Sequence, residues 1–394
     1  MGRPPHASAD APSRAFPRSC DAQPAILDDL AEHKDIRYNI HTDGCEADDE
    51  RTHFNFSPKA FWEAAGKPEM MDVELKRPNF IPIVSSVLLA QSMLKRARGK
   101  GPTKGIQGFV IEHNTAGGHN APPRGFRYDP VAKSHSVDLN ERGEPVYGPK
   151  DEVDLGKFVK ATKGLPFWLA GSYARADKFQ EVLELGGTGV QVGTLFALAE
   201  ESGMQDHTKQ RVLSQLSEKD LTVFTDPVAS PTGFPFKVLE LDDTLSDKKN
   251  YDERPRVCNL GYLRTPYIQT SGKVGYRCAA EPVDDWVRKG GEVEATVGRK
   301  CLCNGLMADA GVPQLSPFKK EGETKRYLEE ILVTMGDDVN AAKMFMKQDE
   351  AGRWSYSATD VVDYLVAEWE AQGGEASMGK VVPSEASAEM VEAA

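Results

Sequence analysis

The sequence predicts an α/β fold in which a parallel sheet is covered by helices, and three observations predict it. Short continuous apolar runs, among them Phe109-Val110-Ile111 and Phe167-Trp168-Leu169-Ala170, have the unbroken apolarity of strands buried on both faces. Each such run is followed by a segment with helical apolar spacing, so that strand and helix alternate four times between residues 80 and 201. Glycine or serine closes each strand at the same polarity. That regularity favours a TIM-barrel, (β/α)8 type of closure, which places ligands at the carboxyl ends of the strands. A doubly wound open sheet is the alternative that the same pattern admits.

The elements follow in order. Residues 1–23 are rich in Pro, Ala, Ser and Arg without periodicity and read as disordered. Residues 25–33 have helical spacing, 36–40 suit a short strand, 43–51 an acidic loop and 54–65 a short helix or turn. Residues 24–78 are thus set apart as a partial barrel or linker segment. Regular alternation opens at Phe80-Ile81-Pro82-Ile83-Val84, a strand closed by Ser85 and Ser86. Residues 87–98 form an amphipathic helix with basic residues in the last turn, where the helix dipole favours cations. After the strand at 109–111, residues 126–150 read as an extended, hairpin-like excursion. A helix over 155–163, a strand over 167–170, a helix over 176–185 closed by Gly186-Gly187, a strand over 190–192 and a helix over 195–201 complete the pattern. A full barrel has eight βα units, and about four are countable after Pro78. The expected barrel is therefore incomplete, with its opening βα units missing. Beyond it lie a helix over 210–216, a proline-rich loop over 224–237, an irregular stretch over 241–280, and helices over 280–288, 325–334, 339–346 and 359–370. Residues 241–372 are accordingly expected to be a mostly helical, cysteine-containing region, and 373–394 a flexible tail.

Composition narrows the function. The chain has 394 residues and a formal charge of −12, from 60 acidic against 48 basic residues. An acidic surface argues against nonspecific binding to nucleic acid or to anionic membrane. No apolar run is long enough to cross a bilayer. Six cysteines are sparse for a disulfide framework and no secretory hydrophobic segment precedes them, so a cytoplasmic protein is expected. His6 stands where a myristoylation signal needs Ser or Thr. Cys258, Cys278, Cys301 and Cys303 lie close enough in sequence to supply a tetrahedral zinc site. C-x-x-C knuckles are absent, however, and Cys301 and Cys303 would diverge by about 200° on a helix. Buried free thiols are the expectation, with no metal. Lys237, Arg256 and Arg264 fall in irregular loops and read as solvated charges.

The chemistry-bearing residues cluster at strand ends. Ala116-Gly117-Gly118-His119 follows the strand at 109–111. Two adjacent glycines allow positive φ and close approach to a ligand, and His119 brings a proton that moves near neutral pH. A plain turn with a surface histidine is the competing reading. Gly171-Ser172 and Gly193-Thr194 follow consecutive strands. Each stands at the start of a helix, where unpaired N–H groups hold anions, and Thr194 adds a hydroxyl. Side by side at neighbouring strand tips they make a phosphate pocket.

These motifs occur in one order: PNFIPIVSS, then EHNTAGGHNAPPRG, then FWLAGSYARADKFQEVLELGGTGVQVGTLFALAEES, then TDPVASPTGFPFK. Together they resemble the nitronate monooxygenase family, formerly 2-nitropropane dioxygenases. These are FMN-dependent barrel enzymes related to flavin-dependent enoyl-acyl-carrier-protein reductases. The resemblance covers most of the chain after Pro78 and implies that residues 79–240 are the flavin-binding half of a barrel. It implies that His119 is the catalytic base, removing the proton α to a nitro group, and that Gly117 and Gly118 lie against the flavin. Gly171 and Ser172 stand where the family usually has two glycines at the FMN phosphate. Gly193 and Thr194 match the other phosphate loop, and Gln191 matches a glutamine beside the flavin. Ser172 keeps an N–H donor but adds a side chain, and His113 replaces a residue that is often glycine. The activity implied is oxidation of a nitronate or nitroalkane with O2 to a carbonyl compound and nitrite, FMN carrying the electron chemistry. Two other readings stand beside it: an enoyl-thioester reductase on the same FMN frame using NAD(P)H, and a non-catalytic binding or assembly module. The family's opening strands have no counterpart, and an open half-barrel exposes an apolar edge. Weak or absent FMN binding by the chain alone, or a homodimer that completes the sheet, is expected on that ground.

Overall fold

A computed structural model describes residues 23–40, 42, 49–97, 104–125, 127–129, 134–320 and 322–371. The expectations for residues 1–22, for most of the acidic loop (43–48) and for 372–394 lie outside the described residues.

The centre is a four-stranded parallel sheet, β1 (Ile83–Val84), β2 (Phe109–Glu112), β3 (Phe167–Ala170) and β4 (Gly189–Gln191), hydrogen-bonded in chain order. Helices α1 (Val87–Arg96), α2 (Leu155–Thr162) and α3 (Ala176–Glu184) supply the crossovers. The unbroken apolarity of β2 and β3 has its reason in the packing. Phe109, Ile111, Phe167 and Leu169 join Ala90 and Met93 of α1, Phe158 of α2 and Val182 of α3 in one buried cluster. Phe158 stands edge-on between Phe109 and Phe167, ring centroids 5.6 and 5.7 Å away, the favoured geometry for aromatic pairs. The helices start where side chains satisfy orphan amides. Ser86 Oγ accepts from Leu89 N (3.1 Å) and Asp154 Oδ1 from Lys157 N (2.9 Å).

Barrel closure is not what the described residues form. After β4 the chain makes a one-turn helix, α4 (Thr194–Ala197), and the next strand, β5 (Val223–Asp226), pairs antiparallel with β6 (Phe236–Leu239) instead of extending the sheet. All other described strands lie in two-stranded antiparallel sheets. The proline-rich stretch expected as a loop over 224–237 is therefore the connection of a hairpin, with paired ends. Residues 36–40 do form a strand, Ile36–Asn39, paired with His53–Phe56 ahead of the helix Pro58–Ala64.

The C-terminal region is mixed rather than mostly helical. The helix expected over 325–334 is instead the strand Glu323–Leu328, paired along its length with Leu315–Lys320. Residues 241–280, expected to be irregular, hold the helix Lys248–Glu253 and the pair Thr265–Ile268 and Val274–Arg277. Helices do form at Val283–Arg288 and Ala358–Ala371, and a 3-10 turn at Val339–Met344. A second core joins α4 to this region, with Leu195, Leu213, Leu239, Val333, Phe345 and Tyr356 buried together.

The cysteines do not assemble. Among the described residues no group of three or more His, Cys, Asp or Glu side chains stands where a metal ion could be held. Cys258, Cys278, Cys301 and Cys303 are free thiols. Burial pushes Cys278 and Cys301 up to about 12, so both stay protonated. Of the cations expected in solvent, only Arg264 is exposed. Lys237 is buried, its Nζ bonded to Asp337 (2.7 Å) and Thr225 Oγ1 (2.8 Å), and Arg256 is half-buried with Nη2 on Thr296 O (2.8 Å). Among the described residues no helix is long and apolar enough to cross a membrane.

Because Phe158 is the side chain that fills the gap between β2, β3 and their helices, Phe158→Ala leaves a cavity there. It is expected to lower stability by about 3–5 kcal/mol. Urea unfolding checks this: the midpoint falls while the slope is unchanged.

Candidate functional site

A cavity of about 320 Å³ lies at the carboxyl ends of β2, β3 and β4. Gly117, Gly118, Gly171, Ser172, Gln191, Gly193 and Thr194 all line it. The register explains how residues so far apart in sequence meet. Glu112 of β2 sits opposite Ala170 of β3, which sits opposite Gln191 of β4, so the three strand tips end at one level.

His119 is not brought into this lining. Its Nε2 lies 2.6 Å from Ser230 Oγ, and its ring packs edge-on against Phe236, centroids 4.8 Å apart. Burial lowers its proton affinity, so the imidazole is neutral, as a base requires, but it is engaged with the β5–β6 connection. His113 is likewise occupied, with Nδ1 2.9 Å from Thr115 Oγ1 and Nε2 2.8 Å from Glu152 Oε1.

The two glycine-hydroxyl corners differ in construction. Gly171 has φ +103°, and a Cβ there would lie 2.9 Å from Thr115 Oγ1 and 3.0 Å from Ala116 N, so only glycine fits. Ser172 follows with φ +58°, a left-handed conformation that costs a non-glycine residue about 1–2 kcal/mol. This corner does not open a helix. α3 begins only at Ala176, after an N-cap at Arg175 that makes no side-chain cap bond. Gly193-Thr194 does open a helix, but α4 has only 4 residues, and its dipole is correspondingly small. The Thr194 hydroxyl, expected as a ligand donor, is a structural tie. It accepts from Gly336 N (2.9 Å) and hydrogen-bonds the Asp338 carboxyl.

Residues 334–338 close the cavity. Thr334, Met335, Gly336 and Asp338 line it. Thr334 Oγ1 accepts from Gly118 N (2.8 Å) and donates to Lys237 O (2.7 Å), while Asp337 N donates to Thr115 O (3.0 Å). A Cβ on Gly117 would come within 3.0 Å of Gly336 N, so the close approach that this glycine permits is to protein backbone. Gly118 and Gly193 instead face open space, with nothing within 4 Å of an added Cβ.

Among the described residues no Lys or Arg appears in the lining; the ionisable residues there are Glu112, Tyr173 and Asp338. Burial pushes the Glu112 carboxyl up to about 7. Burial also raises Asp338, against the opposing effect of its bond to Thr194. Glu112 and residues 334–338 were missed by sequence reasoning. A carboxylate ending an apolar strand just before a double glycine was a readable signal for the first. The second fell at the end of one expected helix and in the gap before the next, where no motif marked it.

No protein-family model matches the sequence, and no curated protein matches it. Among solved structures the chain is similar to FabK from Thermotoga maritima, with TM-score 0.39 and 14% identity over 78% of this chain and 65% of that one. It is also similar to nitroalkane oxidase from Streptomyces ansochromogenes, with TM-score 0.27 and 18% identity over 46% of this chain and 41% of that one. The chain thus spans less than two thirds of the length of either.

Burial of Glu112 has a consequence for stability. Below its ordinary value of 4.5 the carboxyl is protonated in the folded and unfolded chain alike. Between 4.5 and about 7 only the unfolded chain releases the proton, so the contribution to stability is lost as pH rises through that window. Glu112→Gln removes the effect. The variant is expected to match the wild type at pH 4 and to exceed it by roughly 2–3 kcal/mol at pH 8, as read by denaturant titrations at both pH values.

Proposed function

We propose that the cavity at the strand tips takes the FMN phosphate at its Gly171-Ser172 and Gly193-Thr194 end and leaves its Gly117-Gly118 and Glu112 side to the flavin ring and the substrate, and that the chain is an FMN-dependent oxidoreductase acting on carbon acids of the nitronate and nitroalkane class. The observation that carries this reading is the convergence of Gly117-Gly118, Gly171-Ser172 and Gln191 to Thr194 on one cavity at the ends of three neighbouring parallel strands. These are the residues that the resemblance to nitronate monooxygenases assigns to the flavin.

The residues present fit the phosphate arm. Gly193 and Gly118 leave open space where any other residue would place a side chain. The strained Ser172 corner is a feature that clusters at ligand sites. The volume, about 320 Å³, is at the lower end of the range for small-molecule pockets. Among the described residues no cation lines the cavity, and the Thr194 and Thr334 hydroxyls and the Gly118 and Gly336 N–H groups are already bonded within the protein, so the holding falls to the other backbone N–H groups of the two corners and to the Ser172 hydroxyl. Burial raises both lining carboxyls above their ordinary values, which weakens their repulsion of an anion.

FMN, when bound, supplies electron transfer between the carbon acid and O2. The chain's own part is to orient that group on the strand tips, to exclude water with the 334–338 wall and to hold or move a proton. Gln191, level with Ala170 and Glu112, is the residue that the resemblance sets beside the flavin.

Titration of the purified protein with FMN, followed by flavin absorbance and fluorescence, tests the reading. Saturable one-to-one binding is expected, weak rather than retained through purification. Gly193→Val fills the open space with a residue whose backbone the site tolerates (φ −114°), and is expected to weaken FMN by about tenfold or more without lowering the melting temperature. Nitronate-dependent O2 uptake without NAD(P)H is the expected activity. Enoyl-dependent NAD(P)H oxidation in its place would assign the same frame to thioester reduction. Absence of saturable flavin binding at any concentration would remove the reading.

A further inference from the structure

We propose that Glu112, rather than His119, is the catalytic residue that takes the proton from the carbon acid, and that it hands the proton to water in a second, adjoining cavity. The substrate class rests on the function proposed above; the placement of Glu112 does not.

Glu112 is the last residue of β2 and forms a wall shared by two cavities. One is the 320 Å³ cavity at the strand tips. The other, about 40 Å³, is lined by polar groups including Ser85, His113, Arg124, Tyr147 and Asp151. A water needs about 10–15 Å³ of such space and two to four polar partners, and the small cavity offers both. A group between a ligand cavity and a polar water pocket can take a proton on one side and release it on the other. His119 is outside the large cavity's lining and bonded to Ser230, so it has neither position.

The electrostatic setting agrees. Burial alone accounts for the raised proton affinity of Glu112; no cation or hydrogen-bond donor acts to hold its charged form. The titratable groups that face it are Tyr173 and Asp338 in the large cavity and His113, Arg124, Tyr147 and Asp151 in the small one. Tyr147 is pushed far above the range in which it would lose its proton. A carboxyl that titrates near neutrality is matched to abstraction of a weakly acidic C–H proton at that pH.

The step balances without an oxidant. The C–H bond α to the nitro group breaks and its electron pair stays on the substrate, which becomes the nitronate. An O–H bond forms on the Glu112 carboxylate. The carboxyl then passes that proton to water in the small cavity and is a carboxylate again.

Exchange of the α-hydrogens of nitroethane for deuterium in D2O, followed by proton NMR, reads this step with or without flavin. Wild type is expected to accelerate exchange over buffer, with a rise through pH of about 7. Glu112→Gln is expected to lose the acceleration by about 100-fold or more and to lose the pH rise. Glu112→Asp, which keeps the acid but withdraws it, retains part of it. In the FMN-loaded protein at pH 8, where the wild-type carboxyl is ionised, Glu112→Gln is expected to bind FMN at least as tightly as the wild type does. Its loss on nitroethane should exceed its loss on preformed ethyl nitronate by about tenfold or more, a split that a merely structural role would not produce. Unchanged exchange in Glu112→Gln, equal loss on nitronate and nitroethane, or a nitroethane-specific loss in His119→Ala with Glu112→Gln unaffected would each overturn the proposal. Exchange that depends on Glu112 in a protein that binds no FMN would uphold it while sinking the flavin reading. Flavin binding with no accelerated exchange would do the reverse.

Discussion

The site depends on one crossing of the chain, where residues 334–338 lie against the glycine loop that follows β2. The approach is close enough that Gly117 has no room for a side chain. Hydrogen bonds fix it from three directions. Thr334 ties Gly118 to Lys237 of β6, Gly336 N reaches Thr194 at the tip of β4, and Asp337 N reaches Thr115. Such bonds contribute modestly when made, but a buried donor or acceptor left without its partner costs about 1–3 kcal/mol. The crossing therefore tolerates no partial version. It either seats fully, giving the cavity its fourth wall, or leaves several polar groups orphaned at once.

The same crossing fixes the electrostatics. It brings Asp338 to a cavity that already holds Glu112. The cation associated with it, Lys237, is spent behind the wall on Asp337 and Thr225. A buried ammonium stripped of its carboxylate costs about 3–5 kcal/mol, so Lys237 is not free to turn toward a ligand. Among the described residues the outcome is a cavity with carboxyls and no opposing cation, where burial raises the proton affinity of both. Proton affinity near neutrality at Glu112 is thus a consequence of how the wall is built, not of a dedicated partner.

An open parallel sheet also has edges to manage, and here they are kept short. β1 is only two residues long and β4 three. Short edge strands offer few unpaired groups to a neighbouring chain. Beyond β4 the chain turns into α4 and then spends β5 on β6, so the strand that would have continued the sheet is already paired. The hairpin does more than stop the sheet. Its β6 strand supplies the Lys237 carbonyl to Thr334, and its connection supplies Ser230 to His119.

How much of this could be read from the sequence divides along physical lines. β3 spans the residues expected and β2 extends one further, because a continuous apolar run closed by glycine is a local signal that burial on both faces reinforces. The cavity was legible for the same reason. Strands of one polarity, each ended by a residue able to turn sharply, must bring their tips to one side. What failed depended on partners distant in sequence. Glu323–Leu328 has helix-favouring residues but gains a full ladder against Leu315–Lys320, and tertiary pairing outweighs propensity. His119 sits in the expected loop, yet its direction is set by Ser230 and Phe236, 111 and 117 residues further on. Thr194 reads as a ligand donor until Gly336 and Asp338 claim its hydroxyl. The sequence thus located the cavity through backbone-determining residues. It could not assign roles to side chains there, because a polar group's role is decided by which partner satisfies it first. Glu112 is the informative exception: burial alone raises its proton affinity, with no partner among the described residues shifting it, and a carboxyl so placed beside a ligand-sized space is a group whose proton is free to move.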